Sequence, residues 1–450
     1  MNDRNTVFAL STPVGGAIAI MRITGPAAKP AAEALFTGRL EHRRVSYGRI
    51  CDADGSTVDT CCAAYFRAPS SYTGEDMVEI SFHGSPAVAA KLSGLIANTG
   101  LAVPAEPGEF TKRAYLNGKM DLARAEAVMD LIASSAERQR RAAARQLEGR
   151  LSGEIASLYE RTKLALARLA NAMDDDTGEV ELDEAALISE IAPIKSEIRA
   201  LAEGGMRSRI LREGARVAII GSPNAGKSSL LNALLLKERA IVTEIPGTTR
   251  DTLEESAAID GLPVVFVDTA GIRSTFDSVE LMGIERSRRA AEDADLILWL
   301  VDGSRPFSSE DEAIRAFINV ERAVAVITKS DLENVIFPNE NGEFYGLEAV
   351  RISAVSGDGL DALKKLVSER LLPCEGSEAE GLVTNVRHIG ALEDALAALE
   401  AAENRLGDSD TDGAFYELNA AMEHLAAILG RENPIEELVD SIFAHFCMGK

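Results

Sequence analysis

Residues Arg216–Asn232 read RVAIIGSPNAGKSSLLN, an apolar run that stops at a glycine, turns, and restarts as a helix. Val217, Ala218, Ile219 and Ile220 predict a buried strand, and SSLLNALL predicts the first turns of a helix. Between them, Gly221-x-x-x-x-Gly226-Lys227-Ser228 has the spacing of a phosphate-binding loop. The glycines let successive backbone N–H groups point inward, and the helix N-terminus adds its dipole. Lys227 reaches toward terminal phosphates and Ser228 offers a hydroxyl to Mg2+. Asn224, Ala225 and Ser229 complete the candidate phosphate cradle.

Outward from this loop, strands are expected at residues 216–220, 262–268, 296–302, 323–328 and 349–353, with helices after most of them. Repeated βα units predict a mainly parallel, doubly wound sheet whose ligands sit at the carboxyl ends of the strands. Three further motifs fall at those ends. Asp268-Thr269-Ala270-Gly271 places a carboxylate for Mg2+ and a glycine N–H for a γ-phosphate. Thr248-Thr249-Arg250-Asp251, preceded by Thr243, Glu244, Ile245, Pro246 and Gly247, supplies threonine hydroxyls on a candidate switch loop. Thr328-Lys329-Ser330-Asp331 stands where a guanine-reading NKxD is expected, since a carboxylate accepts from the N1–H and exocyclic amine of guanine. Thr328 replaces the usual Asn there, which predicts weaker hold on the base with the choice of guanine kept by Asp331. Ser353-Ala354 fits the backbone contact to guanine that follows. The four elements in this order predict a GTPase domain of the translation-factor type. Ile272 stands where Ras-like proteins carry a water-orienting glutamine, which leaves Arg273, Glu280 and Glu285 as nearby candidates for that task.

The flanking chain has other textures. At 450 residues, a length prior allows about three domains. Residues 1–118 mix strand and helix and predict a small α+β domain. Residues 119–212 and 376–450 are rich in Ala, Leu, Glu and Arg, with Leu147, Leu151, Ile155 and Leu158 spaced as one face of a helix. Two helical blocks around residues 213–375 predict a GTPase domain inserted into a helical domain. With 46 % hydrophobic and 26 % charged residues, the composition is that of a folded, water-soluble protein. No run approaches the ~18 apolar residues of a membrane span. The N-terminus lacks the apolar core of a signal peptide. The five scattered cysteines (Cys51, Cys61, Cys62, Cys374 and Cys447) form neither a disulfide framework nor a paired zinc pattern. A cytoplasmic protein is therefore expected. A net charge of −24 argues against a broad nucleic-acid-binding face, although a local basic patch or a basic partner would still admit RNA.

Motifs at both ends of the chain carry a family resemblance: GGAIAIMRITG, SYTGEDMVEISFHG, PGEFTKRAYLNGKMDLARAEAVMDLI and the terminal FCMGK. With the nucleotide motifs, they resemble the MnmE (TrmE) family of tRNA-modifying GTPases over nearly the whole chain. The resemblance implies an N-terminal domain that dimerises and binds a 5-formyl-tetrahydrofolate-like one-carbon donor at Arg22, Glu79, Lys119 and Lys450. It implies that Cys447 takes part in the modification and that Glu280 orients the attacking water. It also implies K+ bound by Asn224, Thr243, Ile245 and Thr248, and Mg2+ bound by Ser228 and Thr249. A homodimer is implied, working with the FAD-containing MnmG (GidA) in a heterotetramer or larger complex on carbon 5 of the tRNA wobble uridine. The competing expectation is a regulatory GTPase of the Era/Der kind in ribosome assembly, which would lack the N-terminal motifs and carry a basic RNA-binding domain.

Overall fold

The computed structural model describes residues 5–174, 182–238, 255–267, 288–333, 335–372, 382–431, 436–444, 446, 447 and 449. The chain forms two compact units, residues 1–129 with 426–450, and residues 130–425.

In the first unit, a six-stranded sheet has the order β3-β4-β5-β2-β1-β6. Its strands are β1 Val7–Leu10, β2 Ile18–Thr24, β3 Val45–Cys51, β4 Thr57–Phe66, β5 Met77–His83 and β6 Val103–Pro104. All neighbours are antiparallel except β1 and β6. Side chains alternate across a strand, so Ala19, Met21 and Ile23 of β2 face the same way as Ile80 and Phe82 of β5. Against that face pack α1 (Ala28–Glu33) and α2 (Pro86–Asn98), which contribute Ala28, Ala31, Ala32, Leu92 and Ile96 to one buried core. Each fully buried Leu or Ile stabilises by ~1.5–3 kcal/mol. The same alternation turns Arg22 and Glu79 to the opposite face, where the register sets them directly across from each other. Beyond the sheet follow α3 (Glu109–Leu116) and α4 (Leu122–Ala133). A second small core joins Leu122 and Ala125 to Val439, Phe443 and Phe446 from the end of the chain.

In the second unit, the sheet order is β12-β13-β11-β10-β7-β9-β8. Five central strands run parallel: β7 Ala215–Gly221, β9 Leu262–Val267, β10 Leu296–Asp302, β11 Ala323–Thr328 and β13 Leu347–Arg351. The edge strands β8 (Glu255–Ile259) and β12 (Glu343–Phe344) are antiparallel to their neighbours. Every residue of β10 and β11 is buried, as expected of parallel strands covered on both faces. One face carries Val217, Ile219, Leu298, Leu300, Val324 and Val326 against helices that include Leu230, Leu234, Leu363 and Val367. The other carries Ile220, Ile297, Trp299, Val301 and Ile327. The doubly wound, mainly parallel architecture expected from the βα repeats is the one observed.

The helices of this unit include α5 (Glu137–Leu147), α6 (Arg150–Met173) and α7 (Glu184–Glu213), with the helix Val386–Gly407 paired to α7 through Lys195–Glu403 and Arg199–Glu400. One expectation is corrected here. Leu147 does not share a helix with Leu151, Ile155 and Leu158: α5 ends at Leu147, Gly149 turns the chain at φ +90°, and α6 begins at Arg150. Leu151, Ile155 and Leu158 are buried along α6 as their spacing requires. The strand expected at residues 349–353 lies two residues earlier, so Ser353 belongs to the following loop. Among the described residues, no helix is long and apolar enough to cross a membrane.

Candidate functional site

The carboxyl ends of β7, β10 and β11 bring together the loop before α8 (Lys227–Glu238) and the segment Thr328–Asp331. Gly221 has no room for a side chain, since a Cβ there would lie 2.6 Å from the Leu300 carbonyl oxygen. This close approach lets β7 run straight into the loop beside β10. Asn224 takes a left-handed backbone (φ +62°), one that Asn tolerates better than most residues, and Gly226 follows at φ +95°. Asn224, Ser228 and Ser229 are exposed, whereas Ala225 is buried against the core. The Lys227 ammonium donates to the Gly221 and Ser222 carbonyls at 2.7 and 2.9 Å, folding back over its own loop. Burial holds Lys227 below its ordinary pKa, because removing the ammonium from water disfavours the charge. An incoming phosphate would relieve that cost.

The segment Thr328–Asp331 is held to the loop before α8 by Thr328, the residue that departs from NKxD. The Thr328 hydroxyl is buried, lies 2.8 Å from the Ala225 carbonyl and 3.2 Å from the Val301 carbonyl, and donates into that pair. A threonine hydroxyl therefore ties the segment Thr328–Asp331 to the loop before α8. Lys329 turns out at φ +59° and Asp331 is exposed beyond it. The Ser353 hydroxyl is buried and accepts from the N–H groups of Val355 and Ser356, which shapes the loop that carries half-buried Ala354. Thr243, Glu244, Ile245, Pro246, Gly247, Thr248, Thr249, Asp268, Thr269, Ala270, Gly271 and Glu280 lie outside the described residues. So does Lys450.

A second candidate site occupies the first unit. The Arg22 guanidinium donates to Glu79 Oε1 from Nε at 3.0 Å and from Nη2 at 2.7 Å. It lies 5.4 Å from the Tyr72 ring centroid and 5.5 Å from that of Phe110, within cation–π range of both. The tail reaches the same place. The Gly449 carbonyl accepts from Arg22 Nη1 at 3.4 Å and from the Ser11 hydroxyl at 3.1 Å. Gly449 has φ +83°, and a side chain there would collide with the Leu10 carbonyl. The half-buried Cys447 offers its carbonyl to the Gly108 N–H at 3.4 Å. Lys119 borders the loop that carries Tyr72, and its ammonium donates to the Pro69 carbonyl at 3.0 Å. By contrast, burial pushes the Cys61 thiol up to about 12, which marks it as a packing residue.

The structure thus joins Arg22, Glu79 and the tail, and it adds Tyr72 and Phe110, which the motifs contain but spacing alone does not single out. In the nucleotide site it likewise adds Asp302 and Arg305.

A family model described as the MnmE helical domain matches residues 122–447, and one described as the GTP-binding protein TrmE N-terminus matches residues 6–119. Proteins named tRNA modification GTPase MnmE are similar over full length. That of Thermus thermophilus is 44 % identical over 457 residues, covering 100 % of both chains. That of Carboxydothermus hydrogenoformans is 41 % identical over 465 residues, covering 99 % of each. The chain belongs to the MnmE family. A third MnmE, from Aquifex aeolicus, is 40 % identical over 458 residues, covering 99 % of this chain and 100 % of its own. The two family models between them cover residues 6–119 and 122–447, which include the loop before α8, Thr328–Asp331, Arg22 and Glu79.

Proposed function

We propose that this chain is a GTP hydrolase that acts in tRNA modification, using a folate-bound one-carbon unit at its first unit. The observation that carries the nucleotide reading is the Thr328 hydroxyl against the Ala225 carbonyl, which joins a guanine-reading segment and a phosphate loop into one site. Lys227 and the N-terminal amides of α8 would hold the β- and γ-phosphates, and Asp331 would accept from guanine.

The exposed Ser228 hydroxyl at the start of α8 suits Mg2+, with Thr249 as its partner ligand, and the exposed amide of Asn224 suits K+. Thr243, Ile245 and Thr248 complete the proposed K+ shell. When bound, these cations neutralise charge developing between the β- and γ-phosphoryl groups. The chain's own contribution is to orient phosphates through the loop amides and Lys227, and to orient water through Glu280.

In the first unit, the Arg22–Glu79 pair with Tyr72 and Phe110 offers a charged fork and two ring faces, which fit a planar heterocycle with a carboxylate tail. Lys119 and Lys450 would extend that charge, and Cys447 on the tail would take part in the modification. The working assembly is a homodimer with the FAD-containing MnmG, acting in the cytoplasm on carbon 5 of the wobble uridine. The domain limits 1–118, 119–212, 213–375 and 376–450 belong to this reading.

The test has three parts. GTP hydrolysis is expected to be faster in K+ than in Na+ buffer, and equal rates would remove the K+ assignment. Glu280→Ala is expected to bind GTP and lose most hydrolysis. A nucleoside profile of tRNA from cells lacking the chain is expected to lose the modified wobble uridine. An unchanged profile would leave a GTPase without the modification role.

A further inference from the structure

One buried carboxylate outside every motif read from the sequence connects the two halves of the nucleotide site. Asp302 ends β10 with its side chain 5 % exposed. Its Oδ2 accepts from the Lys329 ammonium at 2.6 Å, and its Oδ1 accepts from the Ser304 N–H at 3.0 Å and the Ser304 hydroxyl at 2.7 Å. Arg305 approaches the same carboxylate, with Nε 3.7 Å from Oδ2. From there, Arg305 Nη2 donates to the Ser222 hydroxyl at 2.7 Å and lies 3.2 Å from Asp311 Oδ2. Asp311 is itself buried, and it accepts from the Ser308 N–H and hydroxyl at the start of the helix Ser309–Arg315. Two carboxylates and two cations therefore close a neutral cluster. One end is Lys329, in the base-reading segment, and the other is Ser222, in the phosphate loop.

Lys329 sits in a left-handed backbone conformation that a lysine adopts only when its surroundings hold it there. Its ammonium would otherwise sample many rotamers in water. A buried carboxylate, for its part, persists only when cations and N–H groups satisfy it. Each group thus requires the other. We propose that Asp302 is a positioning residue for guanine nucleotide, fixing Lys329 beside the base before nucleotide arrives and, through Arg305, holding Ser222 of the phosphate loop in step with it. The proposal rests on the reading of this site as one for guanine nucleotide.

The test is a double-mutant cycle on GDP binding, with fluorescent GDP titrated into the full chain, Asp302→Asn, Lys329→Met and the double variant. Each single change is expected to weaken GDP about tenfold, the scale of one charge-assisted hydrogen bond. The double variant is expected to bind no worse than Lys329→Met, because the two side chains act as one unit. Losses that add in a chain that binds GDP would show that Asp302 acts on the fold and not on Lys329, and would overturn the proposal alone. A parental chain that binds no GDP would overturn the nucleotide reading beneath it. Should Asp302→Asn fail to fold, Arg305→Gln tests the other arm at a partly exposed side chain. About tenfold weaker GDP binding is expected, and unchanged binding overturns the proposal.

Discussion

At the scale of single residues, Thr328 carries the most information. Its place in the base-reading segment predicts a lost amide and a weaker grip on guanine. The hydroxyl also satisfies the Ala225 carbonyl in the loop before α8. Thr328→Val keeps the shape and removes the donor, leaving the buried Ala225 carbonyl short of a partner at a cost of ~1–3 kcal/mol. GTP and GDP are both expected to bind more weakly, with the preference for GTP over ITP unchanged, as read by competition against fluorescent GDP. Asp302 gives a pH prediction. Burial works to raise its pKa, but hydrogen bonds from Lys329 and Ser304 outweigh burial and hold the carboxyl below the ordinary aspartate value of 3.8. A carboxyl lowered in the fold contributes stability that is present above pH 3.8 and is lost as pH falls through the folded value. The thermal midpoint of the parental chain should therefore exceed that of Asp302→Asn above this pH, and the gap should close on acidification below it. The phosphate-loop residues are legible in sequence because their backbone geometry is written within a few consecutive positions. Asp302, Arg305, Tyr72 and Phe110 are not, because the contact that gives each its place, such as Asp302 to Lys329 or Arg305 to Ser222, lies tens of residues away and only the fold supplies it.

At the scale of elements, the strands buried on both faces are the ones that declare themselves. LILWLVD and AVAVIT are continuous apolar runs, and they form β10 and β11 at the centre of the sheet. The strands of the second unit that sequence reading leaves out are both at an edge: β8 and β12. ESAAI in β8 has neither a long apolar run nor a clean alternation, and it becomes a strand through its pairing with β9. That hairpin meets the start of α5, where the Arg138 N–H donates to the Gly261 carbonyl at 3.0 Å. Trp299 anchors the centre of β10, fully buried against Phe307 and Phe344 at ring-centroid distances of 6.0 and 5.8 Å. Trp299→Ala is expected to cost ~3–5 kcal/mol. Among the described residues, its indole N–H has no hydrogen-bond partner. Trp299→Phe, which removes that buried donor and keeps ring contact, should cost markedly less. Urea unfolding of the two variants checks the order, and equal losses would show that the ring contacts do not govern the site.

At the scale of the whole molecule, the net charge is acidic, yet both candidate sites hold cations, some of them paired with carboxylates: Lys227, Lys329 and Arg305 in one, Arg22 and Lys119 in the other. Local clusters thus decide what is bound, while the −24 total keeps the rest of the surface unattractive to phosphate. The two-unit division also shows why the first unit was only partly legible. The Ser11 and Arg22 side chains near its start donate to the Gly449 carbonyl, and no local pattern announces a partner so distant in sequence.

That distance has a kinetic consequence. The Gly449 carbonyl is reached by side chains 427 and 438 positions earlier, and the whole second unit lies in the intervening chain. Closing so long a loop before it has structure is entropically unfavourable, while a folded second unit shortens the path to be searched. The tail contacts are therefore expected to form last. In refolding followed by pulsed hydrogen exchange, amides of the helix Glu436–Ala444 should gain protection after those of β7, β10 and β11. Earlier protection there would show that the first unit closes without waiting for the second.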